Sequence, residues 1–402
     1  MSKSRFAASL KPGREKSVLR FHPWIFSGAI AKAEGTQTAT GPVDIVDSLG
    51  TWLARGLWNP SADLAIRIYT WDENEEIDAD MIAARVRNAV EMRKEMLSSN
   101  SRYASTDAYR LVFSEADGLS GFIADRYADV IVATISAQAL LPYADVLLSS
   151  LSECTGIKAI RLEASPDAVE REGIDAEALA KHSTGSVSTV RIRENGLAFD
   201  VNMESGQKTG FFLDQRENRL RTAAYAAGRR VLSAYCYTGA FDIYAAKAGA
   251  TSILGLDTSS SALDQARLHF GINELATPAT YEKADVPVAL RKFRDEGRTF
   301  DMIILDPPCF IFSNAQKEKG MRAYKDINLL AMKLLTPGGI LASFSCSGLV
   351  SPEDFRTVIK WASVDARRAV KVLEMLGQSF DHPILATFPE GEYLKGMICR
   401  VE

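Results

Sequence analysis

Phe300-Asp301-Met302-Ile303-Ile304-Leu305-Asp306-Pro307-Pro308-Cys309-Phe310 reads as a strand, 300–306, that runs into a carboxylate and two prolines. The pattern recurs on both sides. Strands are expected at 230–235, 252–257 and 280–285 upstream and at 339–346 downstream, with helices between them, for instance 260–275 and 325–335. Alternation of this kind after Arg219 is the signature of a parallel sheet with helices on both faces, an α/β fold. Pro337-Gly338-Gly339 reads as a stop between a helix and the last of these strands.

Upstream of this region the pattern differs. Residues 187–202 form an expected hairpin, because Asn195-Gly196 supplies the positive φ angles of a tight turn. Residues 77–194 read as a small α+β domain. It opens on an amphipathic helix with Ile82, Val86 and Val90 on one face, and Arg85, Arg87, Arg93 and Lys94 on a face expected to be solvated. Residues 1–76 read as short alternating strands and turns, a small β-barrel. The expected domains are therefore 1–76, 77–194 and 195–402.

Composition sets the outer bounds. The 402 residues are 47% hydrophobic and 24% charged, ordinary globular usage that excludes a disordered chain or a fibrous repeat. No apolar run approaches the ~18 residues of a membrane span. The five cysteines form no CxxC and lie near none of the four histidines in sequence, which argues against a zinc site and a disulfide framework. Reduced thiols suit a cytoplasmic protein. The net charge of −4 gives no general preference for nucleic acid, yet the first twenty residues are locally basic. That segment reads as a nucleic-acid-facing arm or first strand as readily as a transit peptide.

Ligands of open α/β sheets bind at the carboxyl ends of the strands. The first strand ends in Tyr235-Cys236-Tyr237-Thr238-Gly239, which lacks the glycines that bring a dinucleotide pyrophosphate against the backbone. Asp257 at the second strand is placed for ribose hydroxyls, and Asp285 at the third for an adenine amino group. Two carboxylates, one glycine turn and no phosphate cradle suit S-adenosylmethionine. The competing reading is that such residues cap the next helices. At the fourth strand end, Pro307 and Pro308 stiffen the backbone and hold Asp306 against a planar substrate edge, where Phe310 can stack on a base. Asp-Pro-Pro with an aromatic residue close behind, here Phe310 beyond Cys309, indicates methyl transfer to nitrogen or to a nucleobase. The fifth strand end carries Cys346, a packing residue or a nucleophile. A thiolate that adds to cytosine C6 makes C5 reactive, whereas an exocyclic amine needs no covalent step. Cys346 therefore separates the two chemistries.

The chain resembles the bacterial large-subunit ribosomal RNA cytosine-C5 methyltransferases over nearly its whole length. The resemblance is carried by Gly13-Arg14-Glu15-Lys16, His22-Pro23-Trp24-Ile25-Phe26-Ser27-Gly28, Leu53-Ala54-Arg55-Gly56 and Glu115-Ala116-Asp117-Gly118-Leu119. It continues through Lys208-Thr209-Gly210-Phe211-Phe212-Leu213-Asp214-Gln215-Arg216, Tyr237-Thr238-Gly239, Asp306-Pro307-Pro308 and Tyr324-Lys325-Asp326-Ile327-Asn328. Phe344-Ser345-Cys346-Ser347-Gly348 and Tyr393-Leu394-Lys395-Gly396 complete it. The resemblance implies an N-terminal PUA-like RNA-binding domain, a small central α+β domain and a Rossmann-like class I methyltransferase domain with an antiparallel edge strand. It implies S-adenosylmethionine as cofactor, with Lys208, Thr209, Phe211, Asp214 and Arg216 enclosing it beside Tyr237, Thr238, Gly239, Asp257, Asp285 and Asp306. It implies attack of Cys346 on C6, with Asp306 holding the N3/N4 edge of the cytosine. Large-subunit ribosomal RNA is the implied partner, with Arg14, Lys16 and Arg20 as phosphate contacts, and a homodimer is the implied assembly.

One residue departs from the resemblance. A lysine is usual where this chain has Cys309, and Pro-Cys at that place resembles wider RNA cytosine-C5 enzymes in which a second cysteine aids product release. Cys309 is either such a residue or a neutral replacement. Two other readings remain open: methylation of an exocyclic amine such as guanine N2, and a catalytically inactive RNA-binding assembly factor.

Overall fold

The computed structural model describes residues 6–34, 40–185, 187–203 and 210–402. The chain forms two compact units. The first takes in the described residues up to Asn195, those of 201–211, and Asp381–Gly391; the second takes in Gly196–Asp200, Phe212–Phe380 and Glu392–Glu402.

Among the described residues the first unit contains a six-stranded and a four-stranded sheet. Six strands in the order Trp24–Ile25, Ile66–Thr70, Trp52–Trp58, Gly41–Val46, Ala7–Leu10 and Ile30–Glu34 make a mixed sheet around Leu10, Ile25, Val43, Ile45, Ile66 and Ile68. A second sheet runs Ala159–Glu163, Val130–Ile135, Phe122–Tyr127, Ala108–Phe113. Helix Ala79–Ser98 covers it with Ile82, Val86 and Val90, as the i, i+4 spacing dictates. Leu57 and Tyr69 from the first sheet enter the core of the second, so 1–76 and 77–194 pack as one body.

The charged face of that helix is not simply solvated. Arg93 is fully buried: Nη1 donates to Asp117 Oδ1 at 2.6 Å and to Ala89 O, and Nε and Nη2 donate to Asp381 O. Arg85 donates to the carbonyls of Gly118 and Tyr69, both at 2.6 Å. The loop after Phe113 and the segment that begins at Asp381 cover this face, which helical periodicity cannot reveal.

The second unit is the α/β half. Its strands are β1 (Arg230–Ala234), β2 (Ser252–Asp257), β3 (Ala279–Lys283), β4 (Phe300–Leu305), β5 (Leu335–Ser345), β6 (Val370–Leu376) and β7 (Lys395–Val401). The helices are α1 (Arg216–Ala223), α2 (Ala240–Lys247), α3 (Ser260–Ile272), α4 (Val286–Asp295), α5 (Lys317–Leu334) and α6 (Pro352–Ala366). The sheet order is β3-β2-β1-β4-β5-β7-β6, parallel except for β7, which runs antiparallel to both neighbours; the antiparallel strand is thus not the expected edge strand, because β6 pairs outside it. The order reverses between β1 and β4, and the carboxyl ends of strands at such a switch point are where these sheets bind ligands.

Pro337-Gly338-Gly339 does not separate helix from strand. α5 ends at Leu334, and β5 begins at once and runs through the prolyl segment. The register against β4 slips there, from Phe300 opposite Leu335 to Met302 opposite Ile340. A bulge is where a central strand tolerates a proline, because the missing N–H falls outside the ladder. α5 also starts at Lys317, earlier than the hydrophobic spacing of its second half suggests.

Candidate active site

The ladder brings four strand ends to one level. Ala234 of β1 pairs with Leu256 of β2 and with Leu305 of β4, and Leu305 pairs with Ser343 of β5. The residues just beyond are Tyr235, Asp257, Asp306 and, two residues further on, Cys346. This alignment is a direct consequence of parallel register.

The loop after β1 is strained. Tyr235 and Tyr237 adopt φ of 63° and 50°, left-handed values that cost a non-glycine residue energy and gather at functional sites. Gly239, φ 73°, leads into α2, and a Cβ there would meet Ala266 Cβ at 2.9 Å and Tyr281 Oη at 3.0 Å, so only glycine fits. Asp257 braces the strained turn: Oδ2 accepts from Tyr237 N and Oδ1 from Ser259 N, both at 2.9 Å. His269 braces it from beneath. Its Nε2 accepts from Asp200 N, so Nδ1 carries the proton and donates to Thr238 O at 2.8 Å. Below the loop Asp242 is fully buried; burial pushes its carboxyl up to about 6, against the opposing influence of the Ser233 and Tyr281 hydroxyls. Asp285 caps α4 by accepting from Val288 N at 3.0 Å and is exposed.

Asp306 is oriented by a polar relay absent from the sequence reading. Gln215 Nε2 donates to Asp306 Oδ1 at 2.9 Å, and Asn218 Nδ2 donates to Gln215 Oε1 at 2.6 Å. Asp214 is buried and accepts from Tyr393 Oη at 2.7 Å. Arg216 is buried with its guanidinium carbon 4.8 Å from the Phe380 ring centre. Phe212 stands edge-on to Tyr237, ring centres 5.6 Å apart, whereas Phe211 belongs to the first unit. Lys208 and Thr209 lie outside the described residues.

The two thiols flank the prolyl turn. Cys346 Sγ is 3.9 Å from Pro307 O and half-buried. Cys309 Sγ is 3.2 Å from both Ile311 O and Ser347 Oγ. Ser347 Oγ also pairs with Tyr324 Oη at 2.8 Å. Phe310 lies against Tyr324, ring centres 4.7 Å apart, while Phe312 on the same loop is 78% exposed. In the first unit, Arg14, Lys16 and Arg20 are exposed on and around the short helix Glu15–Val18.

A ribosomal RNA large subunit methyltransferase I from Shewanella denitrificans is 43% identical over 394 residues, 98% of each chain. The chain belongs to the ribosomal RNA large subunit methyltransferase I family. A relative from Erwinia tasmaniensis in the same family is 39% identical over 98% of both chains. The S-adenosylmethionine-dependent methyltransferase profile matches residues 168–374, and a PUA-like domain profile matches residues 9–71. A methyltransferase-class structure from Streptococcus mutans superposes with TM-score 0.82 at 20% identity, over 98% of this chain and 100% of its own. A methyltransferase crystal structure complexed with SAH superposes with TM-score 0.83 at 19% identity and the same coverage. The likeness to these two structures establishes the shared fold.

This member of the methyltransferase I family is therefore an enzyme that uses S-adenosylmethionine. Its residues fit that molecule. The strand-end groups are carboxylates with no phosphate cradle, suited to ribose hydroxyls and a cationic sulfonium. The Tyr235 hydroxyl, at the same edge, is a buried polar atom with no hydrogen-bond partner among the described residues.

Proposed function

We propose that the protein forms 5-methylcytidine in large-subunit ribosomal RNA, with Cys346 as a transient covalent nucleophile. The observation that carries this reading is the placement of Cys346 Sγ 3.9 Å from Pro307 O, beside the turn that presents Asp306. The curated relatives' own names supply the RNA class.

S-adenosylmethionine, when bound, supplies an electrophilic methyl group and leaves as a neutral thioether. Asp257, Tyr237, Thr238 and Gly239 would hold its ribose and Asp285 its adenine, and Asp214, Phe212 and Asp306 would close the site. Lys208, Thr209, Phe211 and Arg216 remain assigned to this enclosure by resemblance alone. Asp306, oriented by Gln215, accepts from the cytosine N4 amino group. The Cys346 thiolate forms a bond to C6, and the displaced electron pair makes C5 nucleophilic. After C5 takes the methyl group, a base removes the C5 proton and the C6–S bond breaks, returning the thiolate. Cys309 assists that release. A stacked target base must first leave its helix, and Phe312 is better exposed than Phe310 to receive it. Arg14, Lys16 and Arg20 grip phosphates. A homodimer in solution belongs to the same proposal, and light scattering measures it.

Cys346→Ala retains cofactor binding by calorimetry and lowers methylation of large-subunit RNA by at least about 10³-fold. Mass spectrometry of the nucleosides made by the wild type shows 5-methylcytidine. A methylated guanine amine would replace this reading with the exocyclic one, and full activity in Cys346→Ala would remove the covalent step. Cys309→Ala accumulates a protein–RNA adduct on denaturing gels; absence of the adduct makes Cys309 a neutral residue.

A further inference from the structure

Lys395 opens β7 opposite Ser345, the last residue of β5, and is 2% exposed. Its Nζ donates to Ser347 O at 2.7 Å and to Tyr393 O at 2.9 Å. It forms no ion pair among the described residues. Lysine is almost never buried without a counter-charge, because desolvating an ammonium is costly. Two carbonyls offset only part of that cost, and a neutral side chain would fill the same space.

The groups around it show what a cation here can act on. Glu392 and Asp354 favour its charge from a distance, and Asp354 is already held by Lys317 at 2.7 Å. The remaining groups that favour it are the thiols of Cys346, on the β5 side, and Cys309, on the prolyl turn. Tyr324 of α5 faces the same cluster; burial holds its phenol up at about 12, so it stays neutral. The carbonyl that Nζ grips belongs to Ser347, the residue next to Cys346.

We propose that Lys395 is the positioning residue for the nucleophile: its ammonium fixes the Cys346-Ser347 turn and favours the Cys346 thiolate. The inference rests on the covalent reading and adds the group that ionises the thiol. The thiol proton leaves to solvent and Lys395 stays protonated throughout. Burial brings Lys395 down to about 8, so the ammonium persists at neutral pH and is lost in mildly alkaline solution.

The test is site-resolved alkylation of Cys346 by iodoacetamide across pH, read by peptide mass spectrometry on the full-length protein. Lys395→Gln keeps a donor for Ser347 O but removes the charge. It raises the pH midpoint of Cys346 alkylation by about one unit or more and lowers kcat about tenfold, with KM for RNA little changed. Lys395→Arg returns the midpoint toward wild type. Calorimetric binding of S-adenosylmethionine checks that each variant is folded. If Lys395→Gln does not fold, Lys395→Arg still decides the matter: its permanent charge must keep the Cys346 alkylation midpoint at or below the wild-type value. An unchanged midpoint in Lys395→Gln, or a midpoint raised by about a unit or more in Lys395→Arg, overturns the inference. If instead Cys346→Ala is active, the covalent reading itself has failed, whatever the midpoints show.

Discussion

Arg93 in the first unit and Lys395 in the second are both cations removed from water, and they are treated in opposite ways. Arg93 is given a carboxylate, Asp117 at 2.6 Å, and three further bonds to carbonyls. Lys395 is given two carbonyls and no carboxylate in contact, with Glu392, Asp354 and two thiols only within electrostatic reach. A neutralised cation holds structure together and leaves little field around it. An incompletely compensated one keeps its field for whatever lies beside it. The same fold uses both, and the partner shows which is which.

Removing Arg93 is the strongest way to break this contrast. Arg93→Met leaves Asp117 without its partner and lowers unfolding stability by about 3–5 kcal/mol, measured by urea denaturation. The Lys395→Gln variant at pH 7 does the reverse. The wild-type Lys395 amine binds protons less well folded than unfolded, about 8 against 10.5, so it opposes folding at neutral pH and ceases to do so as pH rises through that window. The neutral variant is then no less stable than wild type. Equal losses in the two variants would erase the distinction.

Asp242 sharpens the contrast from the acidic side. It forms no ion pair among the described residues, and burial raises its carboxyl from 3.8 to about 6. Between those values the folded protein binds more protons than the unfolded one, so stability falls as pH rises through the window. Asp242→Asn abolishes a contribution of up to about 3 kcal/mol to the stability difference between pH 4 and pH 7. Parallel pH profiles for variant and wild type would show that Asp242 is compensated after all.

Much of the second unit was legible in the sequence because its signals are local. Strand ends at Tyr235, Asp257 and Asp306 follow from apolar runs that stop at polar or conformationally special residues. Pro337-Gly338-Gly339 misled because the same tripeptide punctuates a turn or occupies a bulge, and the pairing partner decides which. Asp285 illustrates a limit of another kind: its cap on α4 and a ligand contact demand the same residue at the same place. The orienting residues were hidden because their partners are distant in sequence. Gln215 meets Asp306 across 91 residues, and Lys395 meets Ser347 across 48. The same distance hides the burial of Arg93, since Asp381 lies 288 residues away.

The segment Asp381–Gly391 leaves the second unit after β6, joins the first, and is followed at once by β7. Asp381 accepts from the backbone of Arg110 and from Arg93, while β7 inserts between β5 and β6. During synthesis, therefore, neither body can be finished early. Both sheets wait for the same short stretch to emerge from the ribosome, so a chain halted before residue 381 strands two incomplete cores instead of one complete and one absent.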